Sequence, residues 1–221
     1  MSKDDQNKFG ADFHEVINKY IHEIFSSNNT HQELAKDHKE ILFPDVQTPK
    51  VTLVMCSDSR VQINAIDSTP TNDIFVIRNI GNQITTCEGS VEFGIHYLKT
   101  PILLIVGHSK CGAVAASLEE HGSYSGSLRR ELDSLSVAGA KTISHGAAIN
   151  VHNQVDYVAE KFREQVESGT LIIYGLMYDF SNDFNYGHGK LIIINRNGER
   201  DPAKIAVAKE LAGVDKIQVG L

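Results

Sequence analysis

Five short apolar runs punctuate the chain and restrict its fold more than any other feature: VTLVM (51–55), IFVIR (74–78), PILLIVG (101–107), TLIIYGL (170–176) and KLIIIN (190–195). They are dense in Ile, Leu and Val and too short for core helices, which is the pattern of strands buried on both faces of a sheet. Helical periodicity fills the gaps, with Val91, Gly94, Ile95 and Leu98 before the third run and Val151, Val155, Val158, Ala159 and Phe162 before the fourth. Strands that alternate with helices rejoin one sheet by right-handed crossovers. The expected fold is therefore α/β: a single domain with an open, mainly parallel central sheet flanked by helices.

Ahead of the first run, Phe13, Val16, Ile17, Tyr20, Ile21, Ile24 and Phe25 recur at three- and four-residue steps, predicting an amphipathic helix. Ser26-Ser27-Asn28-Asn29 is expected to break it, a second polar helix to cover 31–42, and the Pro44 to Pro49 stretch to form a loop. Residues 1–45 thus read as an N-terminal helical arm and 46–221 as one structural unit. Between 120 and 150, HGSYSGS and a Ser/Ala-rich stretch predict a mobile or irregular helical segment, and Gly187-His188-Gly189 predicts a hairpin-like connection.

Composition narrows the function. With 221 residues and 41% hydrophobic side chains the chain can build a real core. Its net charge of -7, from 28 acidic and 21 basic residues, disfavours nucleic acid and anionic membranes as partners. No apolar run approaches the roughly 20 residues of a membrane span, and MSKDDQNKFGADFHE lacks an apolar signal region, so a soluble cytoplasmic protein is the expectation. Three cysteines, Cys56, Cys87 and Cys111, are too few and too odd for a disulfide scaffold and favour metal or catalytic use.

In open α/β sheets ligands bind beyond the carboxyl ends of the strands. VTLVM is followed by Cys56-Ser57-Asp58-Ser59-Arg60, and the third run by His108-Ser109-Lys110-Cys111-Gly112. Two thiols and an imidazole at strand ends form a zinc ligand set, and three protein ligands leave the fourth position open, as catalysis requires. His-x-x-Cys at a helix start also favours the Cys111 thiolate. Asp58 can occupy the fourth position or turn to Arg60 in a bidentate pair. Two thiolates and a neutral imidazole cancel the charge of Zn²⁺, so activity is expected to climb toward alkaline pH.

CSDSR (56–60) and GHSKCG (107–112), with FVIRNIGN (75–82) and IIYGLMYD (172–179) around them, resemble the signature of the β-class carbonic anhydrases, Cys-x-Asp-x-Arg with His-x-x-Cys. The similarity runs from about Gln47 to Leu191. It implies zinc-dependent, reversible hydration of carbon dioxide to bicarbonate and a proton, with zinc on Cys56, His108 and Cys111 and an Asp58–Arg60 dyad governing access. It also implies that Gln47 hydrogen-bonds a substrate oxygen, with the backbone N–H of Gly112 as a companion donor. A homodimer or homotetramer follows from the same resemblance, its amino-terminal helices wrapping a neighbour. The chain departs from some bacterial members in carrying Leu53 where their inhibitory bicarbonate pocket has Trp, although Arg78 matches that pocket's arginine.

Other readings share these residues. A hydrolase of carbon disulfide or carbonyl sulfide would use the same ligands. A structural Cys₂HisAsp site closed by Asp58 would bind zinc without turnover. A redox role for Cys56 and Cys111 lacks a Cys-x-x-Cys pair. None of the histidines outside the cluster is marked by sequence as a proton carrier.

Overall fold

In the computed structural model, residues 13–119, 124–214 and 217–221 are described. The chain divides into two compact units, Met1–Gln47 and Thr48–Leu221. In the first, α1 (Phe13–Ala35) runs without interruption and is followed by the short α2 (Lys39–Leu42). The expected break at Ser26–Asn29 does not occur, nor does a separate helix over 31–42. Polar side chains bridge successive turns instead: the Thr30 hydroxyl donates to the Ser26 carbonyl at 3.1 Å, and the Gln32 amide to Asn28 Oδ1 at 3.3 Å. Ser and Asn lower helix propensity by only a few tenths of a kcal/mol each, too little to end a helix by themselves, and the Gln32–Asn28 pair offsets part of that cost.

The second unit is built on a six-stranded sheet in the order β2-β1-β3-β4-β5-β6. The strands are β1 (Val51–Cys56), β2 (Ile74–Asn79), β3 (Ile102–His108), β4 (Ile172–Asp179), β5 (Lys190–Arg196) and β6 (Gln218–Val219). All five apolar runs are strands. Neighbours pair in parallel except β4 with β5, which are antiparallel. The Gly187-His188-Gly189 turn lies in that hairpin connection, where the Gly189 N–H returns to the Asp179 carbonyl at 2.8 Å.

Helices cover both faces. On one side α3 (Glu88–Glu92), α4 (Gly112–Ser117), α5 (Gly126–Asp133), α6 (Ile143–Lys161) and α7 (Arg163–Glu167) shelter a core that includes Val54, Ile105, Val151, Val155 and Ile173. On the other, Leu53, Met55, Val106, Leu176 and Ile193 pack with Ile205 of α8 (Pro202–Ala206). Leu53 and Val54 thus face opposite cores, as alternation along a strand requires.

Two close approaches seat helices on the sheet. α6 crosses β3 and β4 at Gly107 and Gly175, where an added Cβ would lie 2.5 Å and 2.7 Å from Val151 methyls. Beyond α3 the chain makes a π-turn, Phe93–Tyr97, in which Gly94 meets Thr52 of β1, and a Cβ there would fall 2.1 Å from the Thr52 hydroxyl.

The stretch from 120 to 150 is more regular than expected where it is described; residues 120–123 lie outside the described residues. Ser125 caps α5 by accepting from the Leu128 N–H, and Thr142 caps α6 by accepting from the His145 N–H. Small side chains there let α6 approach its neighbours: a Cβ on Gly146 would meet Val114 of α4 at 2.8 Å.

Candidate metal centre

Strand order reverses at β1, which pairs with β2 on one side and β3 on the other. At such a switch point the connections leave in opposite directions and open a crevice at the carboxyl ends. Cys56 is the last residue of β1 and His108 the last of β3, with Met55 opposite Val106 in the ladder. Cys111 then caps α4, three residues on. One ligand atom from each of Cys56, His108 and Cys111 lies within 4.8 Å of the other two, and all three residues are buried.

The imidazole is prepared for a cation. His108 Nδ1 lies 2.9 Å from the Ser109 carbonyl, so it carries the proton, and Nε2 presents its lone pair. Among the described residues Nε2 has no hydrogen-bond partner, although the side chain is fully buried. Leaving a buried polar nitrogen unsatisfied costs about 1–3 kcal/mol, and a metal ion would satisfy it.

The sulfurs tell the same story. A hydrogen bond between the two thiols draws the Cys56 thiol down against desolvation, with help from His108 and the Gly81 and Asp58 amides. The same hydrogen bond, with burial and the Cys56 charge, pushes Cys111 up, while the Val114 and Ala113 amides at the start of α4 pull it back. Two buried thiols this close compete to ionise. A divalent cation relieves the competition by stabilising both thiolates. Two thiolates and a neutral imidazole within tetrahedral reach are a set that zinc accepts.

Beside the cluster, Asp58 is held by Arg60. The Arg60 Nε and backbone N–H each donate to Asp58 Oδ1 at 2.9 Å, and Nη2 donates to Oδ2 at 2.7 Å. The Arg60 hydrogen bond holds the Asp58 carboxyl at about 2, so it is a carboxylate throughout the neutral range. Arg60 is also anchored by the Lys110 carbonyl at 3.0 Å and lies 4.7 Å from the centre of the Phe180 ring.

Residues outside the ligand set build this geometry. Arg78 Nη2 donates to the carbonyls of Cys56, Asp58 and Val61 at 2.8, 2.9 and 2.7 Å, so it clamps the loop that carries Cys56 and Asp58. Gly81 donates its N–H to Cys56 Sγ at 3.5 Å from a φ of +77°, with Leu135 only 3.0 Å from where a Cβ would sit. Asn150 of α6 fixes that turn by donating to the Gly81 carbonyl at 2.8 Å. Lys110, at φ +51°, donates its N–H to Ser144, whose hydroxyl donates to Asp183 at 2.6 Å. The NIGN segment was a visible signal for the Gly81 turn; Phe180, Ser144 and Asp183 come from distant parts of the chain and carried none.

The remaining expected residues stand as follows. Gly112 opens α4, and nothing lies within 4 Å of where its Cβ would be. Gln47 is exposed and closes the first compact unit. Cys87 caps α3 away from the cluster, its thiol pushed up to about 11 by burial and then by Glu131. No helix among the described residues is long and apolar enough to cross a membrane.

The family model described as "Carbonic anhydrase" matches residues 51–185, a span that holds the three candidate ligands, Asp58, Arg60 and Phe180. The chain is 27% identical to "Beta carbonic anhydrase 5, chloroplastic" of Arabidopsis thaliana over 161 residues, 62% of this chain but only 53% of that protein. It is also 27% identical to "Carbonic anhydrase 2" of Mycobacterium tuberculosis, over 69% of this chain and 80% of that one. Among solved structures, a tetrameric β-carbonic anhydrase from Sordaria macrospora shares the fold with a TM-score of 0.66 at 22% identity, covering 80% of this chain and 98% of that chain. The Coccomyxa enzyme, solved with acetazolamide, gives 0.64 at 20% identity over 83% of this chain and 89% of its own.

Proposed function

The chain belongs to the β-class carbonic anhydrases, and from that premise we propose that it catalyses the reversible hydration of carbon dioxide to bicarbonate and a proton, using zinc held by Cys56, His108 and Cys111. The observation that carries the reading is the convergence of those three ligand atoms within 4.8 Å at the sheet's switch point, beside a carboxylate tied to arginine. Zinc in this set supplies the Lewis acidity that makes water nucleophilic near neutral pH.

The chain's own residues do the rest. Arg60 keeps Asp58 turned aside by its two-pronged bond, so a metal on Cys56, His108 and Cys111 would have a position left for water. Asp58, ionised down to about pH 2, accepts a hydrogen bond from that water and turns a lone pair toward the carbon of carbon dioxide. Gln47 and the Gly112 N–H steady the oxygen that gains negative charge; their support is their place relative to the two motifs, and for Gly112 the open space at the start of α4. Cys56 and Cys111, both buried, would hold the metal with His108.

The same reading makes the working protein a homodimer or homotetramer in the cytoplasm. Ile17, Tyr20, Ile21, Ile24 and Phe25 of α1 are 43–64% exposed, an apolar stripe suited to a neighbouring copy, and the Sordaria relative is tetrameric by its title. Free thiols at the metal centre favour a reducing compartment. The test is metal dependence: chelation should abolish hydration, and one zinc per chain should restore it. Hydration that persists in zinc-free protein would overturn the assignment.

A further inference from the structure

Arg60 poses a physical problem. Its side chain is 50% exposed, and an exposed arginine samples many rotamers, each of which would release Asp58. A fork at a half-exposed site is open to competition from water and salt, so its geometry depends on what else holds the guanidinium. The guanidinium nevertheless makes three kinds of contact here: the Asp58 carboxylate, the Lys110 carbonyl at 3.0 Å, and the Phe180 ring at 4.7 Å. The Phe180 ring also stacks with His108, 25° between planes and 5.8 Å between centres. One aromatic side chain therefore touches both a metal ligand and the arginine that restrains the neighbouring carboxylate.

We propose that Phe180 is a positioning residue: its ring seats the Arg60 guanidinium and thereby keeps Asp58 off the metal, holding the fourth coordination position open. The inference rests on the carbonic anhydrase reading of the site and adds a control to it. Aromatic rings attract a guanidinium through their quadrupole, and the planar fork then needs little further ordering to grip a carboxylate. Phe180 itself is fixed by the chain around it. It follows β4, its ring lies 6.2 Å from that of Tyr178, its carbonyl meets His188 Nδ1 at 2.9 Å, and Asp179 just before it accepts the Asp183 and Phe184 amides. The charged or titratable groups facing Arg60 and Phe180 among the described residues include Asp58, His108, Cys56, Cys111, Tyr178 and His188. The Lys110–Asp183 pair steadies the peptide whose carbonyl receives Arg60.

The probe is azide, an anion that binds the metal only where a coordination position is free, titrated by visible absorption into cobalt-substituted protein at one fixed pH. Because apparent affinity falls in proportion to the open fraction, F180L should weaken azide binding about three- to tenfold, with one cobalt per chain retained. F180M serves as a volume-matched second variant, and F180Y, which keeps the ring, should stay within about twofold of the parent. In a D58N background, where no carboxylate competes for the metal, F180L should have no further effect.

Equal affinity in F180L and the parent, failure of F180Y to rescue, or an undiminished loss in D58N would each overturn the proposal. Carbon dioxide hydration by the parent separates the two claims: a protein that obeys the azide cycle yet hydrates nothing refutes the substrate and keeps the positioning role. A chain that binds neither zinc nor cobalt refutes both.

Discussion

His108 Nε2 and Asp58 Oδ2 lie 3.9 Å apart, the carboxylate held there by its fork to Arg60 rather than by the imidazole. This places an ionised acceptor beside the ligand atoms without committing it as a ligand. Asp58→Asn should keep the fold and one zinc per chain, because the cluster is built from Cys56, His108 and Cys111, but should lower turnover by about a hundredfold. Metal analysis paired with hydration kinetics checks it; unchanged turnover in a zinc-loaded variant would remove Asp58 from the mechanism.

Arg78 should matter to the metal without touching it. Its four bonds to the Cys56, Asp58 and Val61 carbonyls have no substitute in an apolar side chain. Arg78→Met should weaken zinc about 10- to 100-fold, the scale at which groups that orient metal ligands act. Competition with a chromophoric chelator reads this directly, and parental affinity would show that the loop holds itself.

The fold was largely legible because its signals are local. Ile and Val runs announce strands, and Cys56 and His108 sit at strand ends where any open α/β sheet places a site. What stayed hidden was relational. Ser26 to Asn29 read as a breaker because each residue is a poor helix former, yet the cost of each is small and the Gln32–Asn28 pair joins residues four apart in a helix already formed. Phe180 and Ser144 lie 120 and 34 residues from Arg60 and Lys110, so no spacing rule could join them. Arg78 carried a motif signal, but only the structure assigns its guanidinium to three carbonyls of the metal loop.

Packing of α6 on the sheet gives a stability prediction. Gly107→Ala would place a Cβ 2.5 Å from a methyl of Val151, which is branched and fully buried, and 3.0 Å from the Met177 sulfur. A cost of about 1–3 kcal/mol is expected. Because Gly107 immediately precedes His108, zinc affinity should fall with stability. Urea unfolding of the zinc-free chain measures the first effect without the second.

The far end of the sheet carries an acid-sensitive tie. Glu210 accepts from the Tyr174 hydroxyl at 2.8 Å and from Arg196 Nε, and chiefly the arginine holds its carboxyl at about 2. A carboxyl whose pKa is lower folded than unfolded stabilises the fold above its unfolded value, near 4.3, and loses that contribution as pH falls through its folded value. Glu210→Gln should therefore lower Tm at pH 7 and leave it almost unchanged near pH 2. An equal deficit at both values would show that the loss is one of packing and not of charge.

The most direct test of the central claim is stopped-flow hydration of carbon dioxide by the zinc-loaded protein from about pH 6.5 to 9, where zinc sites activate water. Two thiolates offset the cation's charge, so this site should acidify water less than three neutral imidazoles would, and the rate should climb toward the alkaline end. Zinc-bound protein that is inactive across the whole range would contradict the account.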